Sequence, residues 1–89
     1  MKSCKWEVEG KIRTTPTITW KGRRSYATVH LEIEGGEIVA FVHDETIIKE
    51  TCYLKPQDTV RLIGIIEPRN PELASTKPYF LNVLYMEHL

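Results

Sequence analysis

Five basic residues, Lys11, Arg13, Lys21, Arg23 and Arg24, lie between positions 11 and 24 with no acidic residue among them, and Trp20 stands in their midst. Clustered cations can hold phosphate groups, and a tryptophan in polar surroundings can stack on a base or press on a partner. Such a segment is also compatible with solvated charges and an indole folded back onto the protein. Between Glu32 and Glu50 the balance reverses, and Lys49 is the only base. The formal net charge is zero, so bulk attraction to polyanions is not expected, but one end of the molecule should be basic and one side acidic.

Other chemistries find little support. No Ser/His/Asp or Cys/His set sits in a recognisable motif, no Gly-rich phosphate loop occurs, and the acids are spread along the chain, so no enzyme is expected. Cys4 and Cys52 form no CxxC pair and have three scattered histidines for company. Two reduced, packed thiols are expected, with neither metal nor cofactor. No apolar run approaches the ~20 residues that cross a bilayer. The opening MKSCKWEVEG alternates charge and apolarity, unlike a secretory leader, so a cytoplasmic location is expected.

The elements that position these residues are mostly strands, in one domain of 89 residues. Cys4, Trp6, Val8, Gly10 and Ile12 alternate with charged neighbours, giving a first strand with one buried face. Thr14 to Arg24 reads as a loop. In Tyr26 to Glu34, Ala27, Val29, Leu31 and Ile33 face the core, while Tyr26, Thr28 and His30 face outward. Gly35-Gly36 predicts a type I′ hairpin into a third strand, Ile38 to His43, apolar on both sides. Its second side, with Val39, Phe41 and His43, then needs cover by a ligand or a partner. Asp44 can cap a short helix over about Glu45 to Leu54. Pro56 ends the helical run, Gln57-Asp58 turns, and Thr59 to Ile66 forms a fourth strand whose Gly64 suits a sharp bend. Glu67 to Pro78 carries three prolines and reads as a long loop. Tyr79 to His88 is the fifth strand, with Tyr79, Leu81, Val83 and Tyr85 alternating against Phe80, Asn82, Leu84 and Met86. The fold class expected is all-β: a five-stranded OB-fold barrel with one short helix between strands three and four.

Two stretches then resemble the bacterial single-stranded DNA-binding protein family, including its small primosomal relatives. EGKIRTTPTITW, positions 9–20, with Gly22 and the apolar strand to Ile33, is similar to that family's opening. FVHDETIIKETCYLKPQDTVRLIG, positions 41–64, is similar to its strand, helix ending in YL, turn and Gly-bearing strand, with Tyr53, Leu54, Lys55, Asp58 and Gly64 in place. The chain departs from the pattern at Glu37 and His43, where the family commonly has stacking aromatics, in its short second hairpin, and in lacking the acidic tail that recruits partners.

The resemblance implies single-stranded DNA (or RNA) as ligand, a role in replication, priming or recombination, and a dimer or tetramer built on first-strand edges. A groove is expected with Tyr26, His30, Phe41 and His43 on its floor and Trp20 stacking. Arg13, Lys21, Arg23 and Arg24 would stand on one side, and Arg61, Arg69 and Lys77 on the other. The alternative is an accessory OB subunit that docks on a polymerase, primase or helicase through its third-strand face.

Overall fold

In the computed structural model, which describes residues 4–68 and 79–89, alternating apolar residues line the inside of a closed barrel. The elements are β1 (Cys4–Ile12), β2 (Thr17–Lys21), β3 (Arg24–Ile33), β4 (Gly36–Val42), α1 (Glu45–Thr51), β5 (Thr59–Pro68) and β6 (Tyr79–His88). Hydrogen bonding runs in the order β1-β5-β6-β4-β3-β2, and an added β1–β3 pairing closes the ring. All pairings are antiparallel except β4 with β6.

β2 is a second stretch of the first strand. β1 ends against β3 at Ile12↔Leu31, and β2 resumes along the same strand at Thr17↔Thr28. Four residues, Arg13 to Pro16, therefore span what β3 spans with two, and the intervening chain is pushed outward. Counted this way the barrel has five strands, with α1 between the third and fourth, which is the OB-fold. The core is Ile12, Val29, Leu31, Val42, Val60, Leu62 and Val83, each essentially inaccessible, with Ile47, Ile48 and Leu54 from the helix side capping one end.

Several sequence expectations are corrected. The basic segment is a strand and a hairpin rather than a loop: Lys21 pairs with Arg24 across a Gly22-Arg23 turn whose glycine has φ +65°. A first turn residue in the left-handed region matches the twist of the flanking strands, as in type II′ turns. The second hairpin turns on Glu34-Gly35, since Gly36 already pairs with Ile33. Only Gly35 has positive φ there, at +89°, which excludes type I′. The helix stops at Thr51, although Leu54 remains buried. Cys4 and Cys52 are free but exposed, not packed.

Two local devices fix the frame. Asp44 caps α1, its Oδ1 accepting from Thr46 N at 2.9 Å and Ile47 N at 3.2 Å. Lys55-Pro56-Gln57-Asp58 is a turn closed by Asp58 N to Lys55 O at 3.1 Å, with Pro56 second and Gln57 third at φ +80°. Gln57 N donates to Ile12 O and Ile12 N to Asp58 O, at 2.7 and 2.8 Å, so the turn is stitched to the end of β1.

The last strand breaks its own alternation. Ile63 pairs with Tyr85 and Gly64 with Val83, leaving Leu84 as a one-residue bulge. Beyond it the phase reverses: Val83 and Met86 are both buried, while Tyr85, expected beside Val83, is exposed. Among the described residues, no helix is long and apolar enough to cross a membrane.

Candidate nucleic-acid interface

The outer face of β3, β4 and β6 carries four rings in mutual contact. Tyr26, alternating with the buried Ala27, points outward from β3, and the antiparallel register sets it across from the chain end of β4. Its ring centroid lies 5.9 Å from Phe41, edge-on, and 5.8 Å from His43. The parallel pairing of β4 with β6, Phe41↔Asn82, brings Phe80 to the far side, 6.1 Å from both Phe41 and His43. Three of the four contacts are edge-to-face and one is tilted, the geometries that aromatic pairs prefer over a face-to-face sandwich.

Hydrogen bonds orient one ring. Asn82 Nδ2 donates to Glu67 Oε1 at 3.0 Å, which turns the Asn82 Oδ1 toward His43 Nδ1, also 3.0 Å away. An amide oxygen only accepts, so Nδ1 is the donor in this contact.

The basic hairpin adjoins this cluster on the same face. Residues paired across β2 and β3 share a face, so Lys21 and Arg24 stand one two-residue step beyond Tyr26, about 7 Å along the strand. Neither they nor Arg23, at the turn, form an ion pair among the described residues. Trp20 is different. Its register partner is Ser25, on the side of Ile18 and Ala27, so it projects from the opposite face and is 72% exposed.

Arg13, His30 and Arg61 have partners of their own. Arg13 is in an ion pair with Glu37, whose second oxygen lies 3.0 Å from His30 Nδ1. The hydrogen bond from His30 holds the Glu37 carboxyl below its ordinary value of 4.5, opposed by desolvation and reinforced by the Arg13 charge. Arg61 does not border the ring face. It sits between Glu9 (3.1 Å) and Glu87 (3.6 Å), at the opposite end of β6 from Phe80. Its guanidinium pKa is raised first by the Glu9 hydrogen bond and then by the Glu87 charge. Arg69 and Lys77 lie outside the described residues.

Phe80 is the residue that sequence reasoning missed. The alternation set it apart from Tyr79 and Leu81 but did not say which set faces outward. That it meets Phe41 follows only from the parallel pairing of the third and fifth barrel strands.

Solved structures of single-stranded DNA-binding proteins share this fold. The mitochondrial single-stranded DNA-binding protein Rim1 of S. cerevisiae superposes with a TM-score of 0.81 at 13% identity, covering 100% of this chain and 97% of its own. The Plasmodium falciparum SSB, solved in complex with ssDNA, gives 0.74 at 18% identity over 100% and 97%. The small single-stranded DNA-binding protein of Streptomyces coelicolor gives 0.69 at 12% over 99% and 95%. The chain has their fold. No protein-family model and no curated protein sequence matches it. At these identities the likeness is one of architecture, and the interface rests on the chain's own rings and charges.

Proposed function

We propose that this chain is a non-catalytic module that binds single-stranded nucleic acid on the outer face of β3, β4 and β6, in replication, priming or recombination. The observation that carries this is the contiguity of the four rings Tyr26, Phe41, His43 and Phe80 with the Lys21–Arg24 pair on one face. Bases stack on the rings, each contact being worth about 1–3 kcal/mol. The hairpin cations hold the phosphates that follow. The fold shared with the Plasmodium SSB solved on ssDNA supports the same reading.

The test is anisotropy of labelled oligo-dT over a range of salt. Affinity falls as salt rises, with a slope of about −0.7 per phosphate neutralised. Replacing Arg23 and Arg24 with Ala flattens that slope. A folded protein that retains no oligonucleotide at low salt overturns the proposal.

One observation favours a second reading, an accessory subunit that docks on a replication protein. The β6 bulge leaves Leu84 and Tyr85 exposed by 55% and 52%, beyond the ring cluster. Exposed apolar side chains grouped on one strand suit a protein surface.

A further inference from the structure

Followed along β3, the outer face changes sign. It begins with Lys21 and Arg24, passes the rings, reaches His30 and ends at Glu32, about 26 Å from Arg24 along the strand. Glu32 and Glu37 are direct cross-strand partners, and Glu34 stands in the adjoining turn. Facing like charges repel, and two cations offset this: Lys11, the register partner of Glu32, and Arg13, paired with Glu37. Arg13 and His30 both lie on the side of the rings away from the basic hairpin. Glu37 engages both through its two oxygens.

We propose that Glu37 is a specificity-determining residue of this interface, which ends the nucleic-acid track by occupying Arg13 and His30. The inference rests on the nucleic-acid reading above. A phosphate arriving at this end meets a guanidinium already matched by a carboxylate, with Glu32 and Glu34 behind it. A bound strand therefore runs across the sheet, from Lys21 and Arg24 over Tyr26 and Phe41 to Phe80, and not down the β3–β4 hairpin. Such a path has room for about two or three stacked bases, as on other small aromatic sheet faces. Short length and few phosphates make the interface weak and selective for short exposed segments. A neutral molecule with a divided charge distribution fits that role.

The experiment compares wild type with Glu37→Gln, Glu34→Gln and the double variant Glu37→Gln/Arg13→Gln, using oligo-dT of increasing length, with circular dichroism to verify folding. Glu37→Gln frees Arg13 and His30, tightens binding roughly two- to tenfold and steepens the salt slope by about 0.7. It also lengthens the shortest oligonucleotide that gives full affinity. The double variant returns slope and affinity to wild type. Glu34→Gln removes the same charge from the same hairpin without freeing a cation, and changes affinity less than twofold.

Equal effects of Glu34→Gln and Glu37→Gln would mean that general charge, not the occupied cations, is at work, and would overturn the proposal. So would unchanged or weaker binding by a folded Glu37→Gln. If wild type and every variant retain no oligonucleotide at low salt, the underlying nucleic-acid reading fails with it. Binding by wild type with no response at Glu37 defeats this inference alone.

Discussion

Trp6 and Gly64 are register partners on β1 and β5, and the indole covers the glycine so closely that a Cβ on Gly64 would lie 2.8 Å from Trp6 Cζ2. The same Cβ would collide with the backbone oxygen of Asn82 on the third strand of this contact. The bulge at Leu84 and the missing side chain at Gly64 are thus two parts of one tight crossing. Gly64→Ala should destabilise the fold by about 1–3 kcal/mol through overpacking, and Gly64→Val by more. For a domain of this size, each kcal/mol lowers Tm by about 4–8 °C. An unchanged melting curve would count against the crossing as described.

Gln57 offers the opposite case. Its φ of +80° at the third position of the turn is one that glycine adopts without strain. Gln57→Gly removes that strain but adds freedom to the unfolded chain. A net gain of about 0.5–1 kcal/mol is expected, since the left-handed conformation costs an L-residue about 1–2 kcal/mol. Urea unfolding would show it as a higher midpoint with the same slope.

The ring face makes a ranking of binding variants. Phe41→Ala and Phe80→Ala should each weaken oligo-dT binding by about 1–3 kcal/mol with the salt slope unchanged, because stacking releases no counterions. Trp20→Ala should cost less than either, since the register turns Trp20 away from the rings. Titrations of the three variants at one salt concentration, followed by a salt series, decide it. A Trp20 effect larger than that of Phe80 would place the track on the other face of the hairpin.

Glu37 gives a pH signature. Its folded-state pKa is lowered, mainly by the hydrogen bond from His30, so its contribution to stability is complete above the ordinary value of 4.5 and fades as pH falls through the lower folded value. The Tm difference between wild type and Glu37→Gln should therefore shrink as pH is lowered from about 5 to 3. The effect is small, because the three groups are open to solvent and screened. A difference that grows on acidification would contradict the assigned pairing.

Much of the frame was legible because it is local. Alternation in Tyr26 to Glu34 reports which side chains share a face, and it correctly divided Ala27, Val29 and Leu31 from Tyr26 and His30. Asp44 as a cap acts over a few residues, so its neighbours suffice to read it. Where a second local signal competed, the reading slipped. Gly22-Arg23 was a hairpin signal inside a segment that Pro16 and its charges made look like a loop.

The sequence by itself determined the five-strand plan, the short helix, and three of the four rings, Tyr26, Phe41 and His43, since each depends on periodicity within one element. Tertiary structure decided the partners. Phe80 joins the rings only through a parallel pairing between strands about 40 residues apart, and one bulged residue, Leu84, reverses which later side chains of β6 are buried. Arg13 is paired with Glu37, 24 residues away, and Arg61 with Glu9, 52 residues away, partners that no local pattern announces. Charge along a chain says what a residue can bind. Which opposite charge reaches it first is set by strand register, and no local pattern encodes that.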